Sequence, residues 1–262
     1  MQAVFPKLAP MEISWTEQGQ KLLSRLEDAI DLSLPVDPVG GLPRAWYQGP
    51  ATENAVRNGD WIGSVEEGGT VNFFDQQFNP HAHCTHTETL GHIHGSKRPL
   101  SAGYPDAHVF SVLVTLEPEN NALTLEGFTR ALRSVIQEDQ PFPVAVVIRT
   151  HTGAREGLLK DWSNTNPPHL EKALVDALVE HGAKHLLVDL PSVDPEVDGG
   201  ALVAHHAFFG LPDSPRVDAT ITELIAVPPS ARDGIYLLNL QVAPWVNDAA
   251  PSRPLLFPAR WA

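Results

Sequence analysis

The chain has one cysteine in 262 residues, Cys84, so no disulfide can form within it, and a reducing compartment would keep the thiol free. The cytoplasm is the expected location. Positive charge is also scarce: 18 Lys and Arg stand against 32 Asp and Glu, a formal net charge of -14, which argues against nucleic acid or an anionic membrane surface as partner. No stretch is apolar for long enough to span a bilayer, and the opening MQAVFPKLAPMEISW lacks a basic region followed by an apolar one. A soluble, unprocessed chain is expected. There is no repeat at a fixed period and no low-complexity tract, and the length suits one domain, residues 1–262, with a large core. The 24 prolines, spread through loops and the tail, point to many ordered non-helical connections rather than to disorder.

Ser14-Trp15-Thr16-Glu17 has the form of a capping box, and Leu22, Leu23, Leu26, Ala29 and Ile30 follow it at helical spacing. The pattern predicts an N-terminal amphipathic helix. Leu34 to Pro43, with three prolines and two glycines, predicts a loop within the domain. Val109–Leu116, Pro143–Thr150, His185–Leu190 and Gly234–Val242 are short and rich in β-branched and aliphatic residues, which predicts strands, some buried on both faces. Two helices are predicted between them, one through Phe128, Ala131, Leu132, Val135 and Ile136, the other through Leu170, Ala173, Leu174, Ala177 and Leu178 before Gly182. The fold class is therefore mixed α/β.

Histidine is the residue in excess, with 12 in the chain, and five of them, His81, His83, His86, His92 and His94, fall within fourteen residues around Glu88. Neutral imidazole and carboxylate suit Zn, Mn or Fe(II), and a catalytic site needs about three protein ligands and an open position. On an extended strand His86 and Glu88 share a face, and His92 can serve the same site from a following turn. His81 and His83 have the wrong parity, so either needs a bulge or bend before Thr85 to join His86. Cys84 shares the parity of His86 and Glu88 and could reach a metal, although a lone cysteine among such donors is more often a small packed residue. His94 reads as a solvated side chain beside Lys97.

These residues resemble the motif His-x-Gly-Thr-His-x-Asp-x-Pro-x-His of the cyclase-like hydrolases that include bacterial kynurenine formamidase and isatin hydrolase. Thr85, His86 and His92 match it outright, while Glu88 replaces its Asp, Cys84 its Gly and Leu90 its Pro. Ala82 occupies the place of the first histidine, and the form His-x-x-x-Thr-His-Thr-Glu makes His81 the choice for it, with His83 the alternative. Downstream, Asp189-Leu190-Pro191-Ser192-Val193-Asp194 resembles the family's Asp-x-Pro-Ser-x-Asp turn, Ala204-His205-His206 its Pro-Ala-His-His segment, and Ile221-Thr222-Glu223-Leu224 the strand whose Glu completes the site. The resemblance implies a swivelling β/β/α architecture, a mixed sheet or partly closed barrel flanked by helices, commonly in a homodimer or tetramer. It implies one or two divalent ions, Zn first and Mn second, held by His81, His86, Glu88, His205 and Glu223, with His92 for proton transfer. His205 and His206 are adjacent, so only one can face the site, and His205 is chosen.

A divalent metal lowers the pKa of bound water towards ~7 and polarises a scissile carbonyl, and a neutral histidine can carry the proton to the leaving group. The expected activity is hydrolysis of an amide or a cyclic amide or lactone in a small molecule, with N-formylkynurenine-like aryl formamides the best single expectation. Two other classes compete: a non-catalytic protein with a structural histidine-bound metal, and a cupin-like Fe(II) oxygenase. Asp189 and Asp194 have turn capping as their default role. Trp46, Trp61, Phe73 and Phe74 could wall a flat substrate, although core packing is the more usual use of such residues. The apolar tail, Pro251 to Ala262, could pack across an oligomer interface or cover its own core.

Overall fold

The computed structural model describes residues 11–95, 108–150, 153 and 155–262. Lys97, expected beside His94, lies outside them, as do the first ten residues of the opening segment. Strands are numbered along the chain: β1 (Glu12–Glu17), β2 (Gln20–Arg25), β3 (Ile30–Asp31), β4 (Thr52–Ala55), β5 (Arg57–Asn58), β6 (Trp61–Ile62), β7 (Phe74–Gln77), β8 (His86–Thr89), β9 (Val109–Thr115), β10 (Ala122–Leu123), β11 (Ala145–Arg149), β12 (His169–Leu170), β13 (His185–Val188), β14 (Thr220–Glu223), β15 (Gly234–Val242) and β16 (Ala249–Trp261). Seven of them close a mixed barrel in the order β16-β15-β9-β11-β13-β14-β8, with β8 returning to β16. Neighbours from β9 to β14 pair in parallel, and β8, β15 and β16 pair antiparallel. The barrel is closed where a partly closed one was among the expectations.

The parallel strands are aliphatic almost throughout because both of their faces are covered. Val112, Val114, Val146, Ile148, Leu186 and Val188 pack with Phe128, Leu174 and Leu178 of the helices Leu125–Arg133 and Lys172–Glu180. Residues of the opposite parity, Leu113, Val147 and Leu187, join Leu238 and Leu256 in a second cluster inside the barrel. Both helices form, although Val135 and Ile136 lie beyond the end of the first and Leu170 belongs to β12 ahead of the second. The predicted strands appear too, and β15 has the predicted limits, Gly234–Val242. Among the described residues no helix is long and apolar enough to cross a membrane.

The expected N-terminal helix is not formed. Ser14 to Glu17 lies in β1, which pairs with β2 as a hairpin in the register Trp15↔Leu22 and Glu17↔Gln20. The two-residue connection puts Gln18 at φ 45° and Gly19 at φ 85°, left-handed conformations that suit a tight hairpin turn and end any helix there. Pairing with β16, Trp261↔Leu22, then buries Leu22 completely and outweighs the local helical spacing.

The apolar tail proves to be β16, the strand that closes the barrel against β15, β2, β3 and β8, so it covers its own core. Pro251, Pro254 and Pro258 lack a donor, yet their carbonyls are used, accepting from Ala243 N–H, Leu32 N–H and the Ser24 hydroxyl. The chain between Ala51 and Phe78 leaves the barrel for two small two-stranded sheets, β4–β7 and β5–β6. Trp61, Phe73 and Phe74 belong to this excursion and are exposed, at 40%, 59% and 39%, so the core role expected of them does not apply.

Candidate metal centre

Strand β8 carries His86 and Glu88 on one face, as the two-residue period requires, and both are fully buried. Glu88 lies opposite Ile221 of β14, and His86 opposite Glu223, so Glu223 shares that face. Ile221 belongs to the cluster under the helices, which puts the carboxylates on the helix-bearing side of the barrel wall. On the other face the Thr87 and Thr222 hydroxyls meet at 2.8 Å.

The bend needed before Thr85 is a single helical turn, Pro80–His83. Asn79 caps it, accepting from His81 N–H at 3.0 Å, and Pro80 fills the first position, where its missing donor costs nothing. The turn separates the two candidate histidines. His81 faces the cluster, with Nδ1 at 3.3 Å from Glu88 Oε2. His83 faces away, its Nδ1 accepting from Asn79 N–H at 2.8 Å and its Nε2 donating to the Gly49 carbonyl at 2.8 Å.

His205 comes from a short helix, Val203–Phe208, whose first amides donate to Asp194: Ala204 N–H at 2.6 Å and His205 N–H at 3.1 Å. The same carboxylate accepts from His205 Nδ1 at 2.6 Å, which turns Nε2 towards Glu88 Oε1, 2.9 Å away, and Glu223 Oε1, 3.8 Å away. His86 is fixed likewise: its Nδ1 donates to the Cys84 carbonyl at 3.0 Å, and its Nε2 lies 3.4 Å from Glu223 Oε2. A histidine whose Nδ1–H is held in this way offers the Nε2 lone pair to a metal. All five residues expected as ligands, His81, His86, Glu88, His205 and Glu223, thus meet in one cluster.

Leu90–His92 forms one turn of 3-10 helix, with the Thr89 hydroxyl accepting from Gly91 N–H, and brings His92 back over Glu88, Nε2 to Oε2 at 3.8 Å. Asp248, just ahead of β16, had no part in the sequence reading, yet its Oδ2 lies 2.9 Å from His81 Nε2 and 3.1 Å from His92 Nδ1. Asp194, for which turn capping is the default role, also orients His205. The resemblance to the Asp-x-Pro-Ser-x-Asp turn marked Asp194 in the sequence, and nothing marked Asp248. Asp189 does not show the expected turn capping: it reaches across to the end of β11, accepting from the Thr150 amide and hydroxyl. His206 is half-buried and His94 exposed. Cys84 is buried with its Sγ donating to the Pro80 carbonyl at 3.7 Å, burial pushes its thiol up to about 12, and it joins none of the described groups able to hold a metal.

The donor chemistry fits a divalent cation. His86 Nε2, His205 Nε2 and both Glu88 carboxylate oxygens are buried and make no hydrogen bond of good geometry, although they converge within 4 Å of other members of the cluster. Buried polar atoms left in that state are costly unless an ion or water takes them. Among the described residues the ion-pair partners of Glu88, Asp194, Glu223 and Asp248 are all histidines, none of them Lys or Arg. Burial works against charge at Glu88, but His92, His205 and His81 hold its carboxyl well below the usual range. Burial likewise pulls His205 down, and Glu88, Asp194 and Glu223 reverse it, holding the imidazole well above its ordinary value. His81, also opposed by burial, is pushed up to about 10 by Asp248 and Glu88. Three overlapping sets can each supply ligands within 4.8 Å of one another: His81, His86 and Glu88; Glu88, His92 and His205; and His81, His92 and Asp248.

Above the cluster opens a cavity of about 320 Å³, lined by Trp46, Asn79, Ser192 and Leu202 beside His81, His92, His205 and Glu223. It has the size of a small-molecule site.

A family model described as "Putative cyclase" matches residues 30–195, most of the chain. No curated protein sequence matches it. Solved structures share the fold at low identity. A "predicted metal-dependent hydrolase" from Bacillus stearothermophilus superposes with a TM-score of 0.58 at 16% identity, covering 87% of this chain and 97% of that one. Isatin hydrolase A from Labrenzia aggregata, bound to benzyl benzoate, gives 0.60 at 14% identity over 88% and 93%. An isatin hydrolase bound to the product analogue thioisatinate gives 0.59 at 13% over 89% and 93%.

Proposed function

The chain belongs to the Cyclase family, and from that premise we propose that it is a metal-dependent hydrolase that cleaves an amide or a cyclic amide or lactone bond in a small molecule. N-formylkynurenine-like aryl formamides are the substrates we put first. The observation that carries the reading is the convergence of the hydrogen-bond-free atoms His86 Nε2, His205 Nε2 and Glu88 Oε1 and Oε2 beneath a cavity of small-molecule size. The ligands we assign are His81, His86, Glu88, His205 and Glu223. The ion we assign is zinc, for the imidazole-rich donor set, with manganese as the second choice and room for one or two ions.

When bound there, a divalent ion supplies a Lewis acid and lowers the pKa of water at its open position. The chain's own residues do the rest. Asp194 and the Cys84 carbonyl hold His205 and His86 in the tautomers that present Nε2. Asp248 accepts from His92 Nδ1, which leaves Nε2 of His92, facing the cavity 3.8 Å from Glu88 Oε2, to take a proton from the attacking water and return it to the leaving nitrogen or oxygen. The chain, residues 1–262, acts as one domain in this proposal, since β1, near its start, and β16, at its end, share one sheet through β2. A cytoplasmic homo-oligomer, most simply a dimer, completes it.

The test is elemental analysis of freshly purified protein together with a panel of formamides, cyclic amides and lactones. Stoichiometric zinc or manganese with turnover of at least one class is the expected result. Full metal content with no turnover of any class would instead mark a structural metal.

A further inference from the structure

Two residues that line the cavity, Trp46 (φ 56°) and Leu202 (φ 44°), have left-handed backbones, as do Tyr47 (φ 58°), Asn164 (φ 62°) and Asn166 (φ 47°) outside its lining. Asparagine adopts this conformation readily, but two adjacent aromatic residues do not, and such strain persists only where the surroundings enforce it. The enforcement is visible. Residues 44–47 lie along residues 160–163, with Arg44 N–H donating to Lys160 O, Trp162 N–H to Arg44 O, and Tyr47 N–H to Ser163 Oγ at 2.9 Å. Arg44 Nε also meets Asp161 Oδ2 at 2.8 Å.

Both strained segments end on one carboxylate. The Tyr47 hydroxyl donates to Glu196 Oε1 at 3.0 Å, Asn164 N–H to Oε1 at 2.6 Å and Asn166 N–H to Oε2 at 2.9 Å. The two left-handed asparagines turn their amides into a small anion nest that the Glu196 carboxylate fills. Partial burial works against its charge, but these donors hold its carboxyl below the ordinary range. Trp46, thus fixed, packs against the cluster of Leu34, Leu158, Trp162 and Leu224 and also lines the cavity over the metal cluster. Glu196 itself does not line that cavity.

We propose that Glu196 is a positioning residue for substrate binding: by stapling Tyr47 to the Asn164–Asn166 turn it fixes Trp46 as a rigid wall of the cavity. This rests on the hydrolase reading above. A wall that is equally present for substrate and transition state sets KM rather than kcat.

Glu196→Ala and Tyr47→Phe should each raise KM about tenfold while kcat and metal content stay near the wild-type values. Trp46→Ala should do the same, and adding Glu196→Ala to it should cost nothing further, because there is no wall left to hold. Glu196→Gln, which keeps one carbonyl oxygen as acceptor, should recover part of the loss. A second readout needs no turnover: in protein labelled with 5-fluorotryptophan, the Trp46 resonance, identified by its absence in Trp46→Phe, should shift or broaden in Glu196→Ala and Tyr47→Phe. If no substrate is hydrolysed and the resonance still responds, the staple holds and the hydrolase reading falls. An unmoved resonance, an unchanged KM in an active enzyme, or equal losses from Glu196→Ala with and without Trp46 would each overturn the proposal. Tyr47→Phe, which removes a single hydroxyl, decides the matter should Glu196→Ala fail to fold.

Discussion

Oδ2 of Asp248 lies 3.1 Å from Nδ1 of His92, across 156 residues of sequence. The contact fixes the His92 tautomer with Nε2 towards the cavity, and because His92 is partly exposed there, unlike the buried His86 and His205, we assign it to proton transfer rather than to the ligand set. His92→Ala is expected to keep its metal yet lose about 10²-fold or more in kcat, the usual worth of a positioned acid/base group. Asp248→Asn should lower kcat in the same direction. Metal analysis beside steady-state kinetics checks both, and loss of metal in step with activity from His92→Ala would make His92 a ligand.

His86→Ala and Glu88→Ala should each abolish stoichiometric metal binding, since both side chains are wholly buried on the shared face and nothing nearby replaces them. Retention of full metal content by either variant removes the central assignment.

His81 and His83 should separate cleanly. His81→Ala is expected to lose metal. His83→Ala should keep it and instead lose about 1 kcal/mol of stability for each of the two hydrogen bonds it makes, to the Asn79 amide and the Gly49 carbonyl. Metal content and a denaturant melt of the two variants decide it, and the reverse ranking would show that the helical turn presents the other histidine.

Asp194→Asn removes the charge that orients His205 at 2.6 Å and should weaken metal binding about 10- to 100-fold, the usual effect of losing such an outer partner. Competition against a chromophoric chelator measures it. Unchanged affinity would reduce Asp194 to a helix cap.

With its thiol raised to about 12 by burial, Cys84 carries roughly a thousandfold less thiolate at pH 8 than an ordinary cysteine. The folded protein should react with a thiol reagent only after denaturant is added, and Cys84→Ala should keep its metal. Rapid labelling of the native protein, or loss of metal from the variant, would return Cys84 to the ligand set.

What the sequence by itself determined was whatever short-range periodicity controls. The two-residue period fixed His86 and Glu88 on one face of β8, aliphatic runs fixed β9, β11, β13 and β15, and apolar spacing fixed the two helices beneath which they pack. The histidine motif and the downstream blocks around Asp194, His205 and Glu223 were also legible in outline, because each lies within a few consecutive residues. Tertiary structure decided the rest. The hairpin of β1 and β2 prevailed over a helical pattern because β16 buries Leu22, a contact made across more than 230 residues. Three prolines hid β16 from any local reading, since a strand that lacks donors forms only where neighbours can use its carbonyls. Closure of the barrel by that strand is also what carries Asp248 to His81 and His92, and a lone aspartate gives no sign of such a contact until β16 pairs with β8.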